Sequence, residues 1–311
     1  MKLNNKFDAV LPLLLKDYGR FEILDKSISK YMRDLHICWI ISTDREYNDL
    51  KKKIKSNIYR VISESSILPE LRFYKKISKL LYKSFIRRTS ICKKGRFNVS
   101  GWYVQQLIKL AMAEKVETNF YLTLDADVVC LRQVGYDDLI ENGKAITNTR
   151  EEDRHPDWYE SAERILNMSR SGLTHGVTPA ILHREAVISL LTFLERKVHP
   201  ITKSLAVACP SDSVMKDILK SWRSHLIINT PWTEYSLYYT FLEGMNIFEQ
   251  FHIRKGKDAV YDIATSLWRK EQISSWNIDR FFNTNAYFLV VQSNTDIPVE
   301  EVKRKLKIYL E

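Results

Sequence analysis

Short runs apolar on both faces alternate with stretches of helical spacing along the first 130 residues. The run around Ala9, "AVLPLL", predicts a first strand, and "FEILDKSISKYM" follows with helical periodicity. "LHICWIISTD" predicts a second buried strand, "DLKKKIK" a short basic helix, and "IYRVISE" a third strand. A further helix is predicted at "SGWYVQQLIKLAMAEKV", where Val104, Leu107, Ile108 and Ala111 share one face. Trp102, Gln105, Gln106 and Lys109 point elsewhere, the last three toward a solvated face or a ligand. The most hydrophobic strand, Asn119 to Leu131, comes next. Strands alternating with helices at this spacing imply a mostly parallel, Rossmann-like sheet covered by helices.

After Arg132 the rhythm loosens. Strands are expected at "KAITNT" and "VTPAILHRE". Helices are expected at "DWYESAERILNM", "REAVISLLTFLERK", "SDSVMKDILKSW" and "EYSLYYTFLEG". No linker or repeat interrupts the chain, which reads as a single domain, 1–311. Within it lie a first half, 1–132, a mixed second half, 133–257, and a C-terminal extension, 258–311, with little legible pattern.

Charge changes this picture at one place. The net charge is +10, and the whole excess lies between Arg72 and Arg96, ten Lys or Arg with no acid. Phe73, Ile77, Leu80, Leu81 and Phe85 would share one face of a helix there, with Lys76, Lys79 and Lys83 on another. Three readings stand: a solvated lysine face, a helix resting on an anionic membrane surface, or a nucleic-acid contact, the least favoured. No apolar run reaches the roughly 20 residues of a membrane helix, and the N-terminus is not a convincing signal peptide. Cys38, Cys92, Cys130 and Cys209 have no CxxC spacing and read as free thiols. The expected location is cytoplasmic, with a peripheral position on the inner face of the membrane if the basic stretch docks there.

The chemistry concentrates at the exit of the Asn119–Leu131 strand. Ligands of open parallel sheets bind beyond the carboxyl ends of the strands, and Asp125 and Asp127 are placed there. Strand alternation would point both carboxylates to the same side. Like charges so close repel, and Mg²⁺ or Mn²⁺ would relieve the repulsion while leaving coordination sites for phosphate oxygens. The alternative is a pair that caps a helix or meets lysines.

Three segments accompany the DxD: Trp102-Tyr103-Val104-Gln105-Gln106-Leu107-Ile108-Lys109-Leu110, Thr174-His175-Gly176-Val177-Thr178-Pro179, and Trp232-Thr233-Glu234-Tyr235-Ser236-Leu237-Tyr238. In this order they resemble "WYxQQxxKL", "THxxTP" and "WTEYxxY" segments of a poorly characterised group of bacterial polysaccharide-type glycosyltransferases of the A fold. The resemblance runs from roughly Phe7 to His252. It implies an A-type fold and a metal-dependent transferase. A nucleotide sugar, UDP-linked before others, would serve as donor to a glycan or lipid-linked acceptor in surface polysaccharide assembly. Asp125 and Asp127 would hold the metal and the donor diphosphate, and His252 would be a third ligand or an ordinary edge-strand histidine.

Glu234 would be the base that takes the acceptor proton if the enzyme inverts; otherwise it binds or positions, or belongs to a helix cap formed by Thr233 or Thr230. Gln105, Gln106, Lys109 and Asp44 are the expected nucleotide or donor contacts. His175, Thr178, Trp232, Tyr235 and Trp158 are the expected sugar or acceptor contacts, with His183 structural. One rival is a sugar nucleotidyltransferase, disfavoured because the N-terminal half has no glycine-rich phosphate loop. The other is a non-catalytic protein that binds membrane or nucleic acid through the basic stretch.

Overall fold

The computed structural model describes residues 5–72, 74–75, 101–151, 155–197 and 221–311. The expected basic helix, apart from Arg72, Tyr74 and Lys75, lies outside these residues. So do Cys92, Cys209 and nearly all of "SDSVMKDILKSW".

Five strands form the central sheet in the order β3-β2-β1-β4-β9: β1 Phe7–Pro12, β2 Leu35–Ser42, β3 Tyr59–Ser63, β4 Phe120–Thr123 and β9 Ala180–His183. The first four are mutually parallel, with Val10 opposite both Trp39 and Thr123. β9 runs antiparallel to β4 and places Ala180 opposite Thr123. All six residues of β1 and all four of β4 are buried, as parallel strands covered on both faces require. The chain is a mixed α/β protein built on a parallel sheet.

Two layers cover the sheet. Helices α3 (Gly101–Ala111), α5 (Arg184–Glu195), α6 (Trp222–Ile228) and α7 (Glu234–Gly244) share a core with Val10, Trp39 and Tyr121 on one face. On the other face α1 (Tyr18–Tyr31) and α2 (Tyr47–Lys53) supply Phe21, Leu24, Ile28 and Leu50 to a core with Phe7, Leu11 and Ile40. α4 (Pro156–Leu166) adds Ala162, Ile165 and Leu166 to the first core. A smaller sheet, β10-β7-β6 with β8 attached to β7, flanks the main one: β6 Ile140–Glu141, β7 Lys144–Arg150, β8 Thr174–His175 and β10 His252–Lys255. Cys38 and Cys130 are buried free thiols whose pKa values burial raises. Among the described residues no helix is long and apolar enough to cross a membrane.

The C-terminal extension is a third body of core. Strand β11 (Phe288–Val290) pairs antiparallel with β5 (Val128–Cys130), and helix α8 (Val299–Leu310) buries Val302 and Leu306. Lys303 Nζ reaches Glu22 at 2.9 Å, and the Tyr31 hydroxyl donates to the Tyr309 carbonyl, fixing α8 against α1. Arg20 is buried and donates to the carbonyls of Val291 (3.0 Å) and Ile297 (3.3 Å).

Candidate functional site

Because β2 lies on one side of β1 and β4 on the other, the connections diverge at the carboxyl ends of β1 and β4. Such a divergence opens a crevice. A cleft of about 620 Å³ lies there. Pro12 and Asp17 line it from the end of β1, and Gln105, Gln106 and Lys109 from α3. Asp125 and Asp127 line it after β4, and Thr178, Glu234 and Tyr235 from the second half.

The expected single strand Asn119–Leu131 is two strands with a turn between them. β4 stops at Thr123, the Val128 amide donates to the Asp125 carbonyl at 3.1 Å, and β5 starts at Val128. Strand alternation therefore does not orient the two carboxylates. Asp125 turns to the first-core layer, where its Oδ1 lies 2.9 Å from Lys109 Nζ. Asp127 turns to the C-terminal extension, and its Oδ2 accepts the Ser293 amide at 2.8 Å. Burial and the neighbouring Asp125 raise the Asp127 pKa to about 6, against the pull of its Ser293 hydrogen bonds.

Lys109 is the hub on the other side. Its side chain is 2% exposed, and Nζ contacts Asp125, Glu234 Oε1 at 3.1 Å and Thr178 Oγ1 at 2.9 Å. Burial alone would discharge the amine; Asp125, Tyr235 and Glu234 outweigh it and hold the pKa well above the ordinary lysine value. The Tyr235 hydroxyl bonds Thr178 Oγ1 at 2.6 Å and Thr123 Oγ1 at 2.7 Å, linking the hub to the end of β4.

Glu234 is the first residue of α7. Thr233 caps that helix: its Oγ1 accepts the Ser236 amide and Ser236 Oγ accepts the Thr233 amide, both at 2.9 Å. The Glu234 amide, one of the helix's open donors, goes to Gln106 Oε1 at 3.1 Å. The Glu234 carboxylate is fully buried, and burial raises its pKa while Lys109 lowers it. Lys109 Nζ, 3.1 Å from Oε1, is its charge partner. The polar stripe of α3 is thus not solvated: Gln106 and Lys109 are buried against α7.

Three expected site residues fall elsewhere, and a fourth is occupied within the core. His252 is buried, with Nδ1 2.7 Å from Thr147 Oγ1 and Nε2 2.7 Å from the Tyr238 hydroxyl; both nitrogens are used, and it is no third ligand. Trp232 is fully buried and donates Nε1 to the Leu226 carbonyl, so it is core rather than a sugar contact. Asp44 is held by the Ser65 amide and by Arg72, away from the cleft lining. His175 borders the cleft, but its ring is buried, with Nδ1 3.3 Å from Thr149 Oγ1 and Nε2 3.0 Å from Glu243. His183 packs between Phe120 and Phe251, the structural place expected of it. Trp158, Gln105, Thr178 and Tyr235 line the cleft.

The cleft also holds residues without a sequence signal of their own. Gln292, Ser293 and Asn294 come from the C-terminal extension, Asp17 from the start of α1, and Arg150 from the end of β7. Pairing of β11 with β5 and the Arg20 hydrogen bonds to the Val291 and Ile297 carbonyls bring the extension there, and no local pattern encodes these contacts. Trp102 was visible as an off-face residue of α3, without a role.

The profile of the family described as "Family of unknown function (DUF6492)" matches residues 4–311. The chain belongs to DUF6492. No curated protein matches it. Among solved structures it is similar to mouse xyloside xylosyltransferase 1 in its apo form, at 12% identity and a TM-score of 0.45, over 94% of this chain and 99% of that one.

Two carboxylates, Asp125 and Asp127, line this DUF6492 cleft, oxygen donors of the type a hard divalent cation takes. No group of three or more His, Cys, Asp or Glu poised for a metal occurs among the described residues. Asp125 and Asp127 are nonetheless close enough for one to raise the pKa of the other, and the Asp125 side chain is 35% exposed to the cleft. A hard cation bound there would take its remaining oxygens from water or a ligand.

Proposed function

We propose that this protein is a glycosyltransferase of the A-type fold. It would move a sugar from a nucleotide-sugar donor, UDP-linked before others, to a glycan or lipid-linked acceptor in surface polysaccharide assembly. The observation that carries the reading is the Asp125–Asp127 turn at the sheet's switch point, facing a cleft of saccharide size. The three resembling segments also converge on it: Lys109, Thr178 and Tyr235 belong to one each and bond one another.

In this reading Asp125 and Asp127 hold Mn²⁺ or Mg²⁺, which when bound neutralises the departing diphosphate. The anomeric C–O bond to the diphosphate breaks, its electron pair leaving with the phosphate. The acceptor oxygen bonds that carbon, and its proton passes to an oxygen of the departing diphosphate. Gln105 borders the same space and is placed to contact the donor. Lys109 sets the position of Asp125 and supplies positive charge beside the diphosphate. The buried, lysine-paired Glu234 is better suited to hold Lys109 than to receive the acceptor proton, so Glu234 is assigned as a positioning residue. The basic stretch, 72–96, would keep the enzyme on an anionic membrane surface, near a lipid-linked acceptor.

Incubation with a panel of nucleotide sugars and Mn²⁺, scored for nucleoside diphosphate release, tests the reading. Release with one donor, lost in EDTA and in Asp127→Asn, is the expected result. Release of pyrophosphate instead would mark a nucleotidyltransferase, and no turnover of any donor would sink glycosyl transfer.

A further inference from the structure

Four large apolar side chains are exposed among the described residues, and of these Trp102 alone lines the cleft. It is 41% exposed although it lies on a helix whose following residues are mostly buried. Its ring is 5.7 Å from that of Trp158 at an interplanar angle of 38°. Trp158 in turn stacks on His155 at 3.9 Å and 19°. Behind Trp102 the aromatic contact continues inward, to Tyr103 at 4.9 Å and from there to the buried Trp232 at 5.5 Å.

Two helix starts hold this wall. Trp102 is the second residue of α3, while His155 precedes α4 and Trp158 lies in its first turn, where the Trp158 amide donates to the His155 carbonyl at 3.1 Å. Helix starts anchored in a core are rigid places for a recognition surface. The wall also belongs to one side of the cleft. Trp102 and Trp158 rise from the helices that share the first core, whereas Asp17, Ser293 and Asn294 come from α1 and the C-terminal extension on the other.

We propose that Trp102 and Trp158 form the acceptor subsite, a platform for the apolar face of a pyranose ring. The inference rests on the glycosyltransferase reading and names the class of acceptor, a saccharide presented ring-face to the indoles. A pyranose has hydroxyls at its rim and C–H groups on its face, so it suits an indole surface bordered by polar side chains. Arg150 lines the same cleft and supplies a polar group of that type. A nucleobase could stack on the same indoles, and the UDP arm of the test separates the two occupants.

The test is binding without turnover. Tryptophan fluorescence and ligand-detected NMR would be recorded on the full chain with cello-, chito- and manno-oligosaccharides, and separately with UDP plus Mn²⁺. Wild type should bind at least one oligosaccharide. Trp102→Ala and Trp158→Ala should weaken that binding tenfold or more, Trp102→Phe should retain part of it, and UDP affinity should stay within twofold. Unchanged melting temperature in Trp102→Ala shows that the fold is intact, and Trp102→Phe carries the test if it is not. The platform is overturned if no oligosaccharide binds wild type, if Trp102→Ala binds as wild type does, or if UDP affinity falls instead. Oligosaccharide binding lost in Trp102→Ala, with no nucleotide sugar turned over by wild type, would uphold the platform and sink the transferase reading.

Discussion

The Lys109 ammonium lies 3.1 Å from the Glu234 carboxylate, and neither side chain has meaningful access to solvent. They are far apart in sequence, on α3 and α7, and each would be a costly buried charge without the other. Their pairing fixes α7 against α3 and delivers Nζ to Asp125.

Lys109→Met should therefore lose roughly 3–5 kcal/mol of stability, because Glu234 is left buried and uncompensated. Glu234→Gln should cost less, about 1–3 kcal/mol, since Lys109 keeps Asp125. The double variant should recover most of the loss seen in Lys109→Met. Urea unfolding at pH 7 measures all three, and additive losses in the double variant would contradict a paired site. Donor turnover should fall in Lys109→Met and in the double variant, because Asp125 loses Lys109 there, and less in Glu234→Gln.

Mn²⁺ should raise the melting temperature of the wild type, by the equivalent of about 2.7 kcal/mol at a hundredfold excess over its Kd. Asp127→Asn should abolish the increase. His252→Ala should keep it, although losing partners for Thr147 and Tyr238 costs that variant about 2–4 kcal/mol. A cation response lost in His252→Ala would restore His252 as a ligand.

Ser293 starts a short 3₁₀ turn, and Gln292 before it has φ −47° and ψ 124°, a conformation that tolerates a following proline. Ser293→Pro should remove the amide that Asp127 accepts while leaving the local chain in place. Loss of a hydrogen bond to a buried carboxylate costs about 1–3 kcal/mol. Cation affinity and donor turnover should fall with it. Ser293→Ala, which keeps the amide, should show the smaller effect in both measurements.

Glu243 provides the pH signature. Burial would raise its pKa, but hydrogen bonds from His175, Ser171 and Arg254 overcome that and hold it down at about 2. A carboxylate with a depressed folded-state pKa adds stability that is complete above the unfolded value, near 4.5, and disappears as the pH falls through 2. Glu243→Gln should accordingly cost about 2–3 kcal/mol at pH 7, and its deficit should shrink steadily between pH 5 and pH 2. Denaturant melts across that range give the profile, and a deficit independent of pH would exclude the charged role.

The sequence by itself determined the parallel half of the fold. β1, β2 and β4 are runs apolar on both faces, a pattern that two covering layers demand locally, residue by residue. It also placed Asp125 and Asp127 at a strand exit, and Glu234 in the first turn of a capped helix, because caps and strand ends are written in neighbouring residues. Tertiary structure decided the rest. The turn at Asp125–Val128 leads into β5, whose pairing with β11 joins segments some 160 residues apart and brings the Ser293 amide to Asp127. The polar stripe of α3 reads as solvated until α7 brings Glu234 to Lys109. His252 and Trp232 carry chemistry that suits a ligand or a platform, yet the core satisfied their polar atoms with Thr147, Tyr238 and Leu226. Residue type states what a side chain can do; only the long-range contacts fix which partner consumes that capacity.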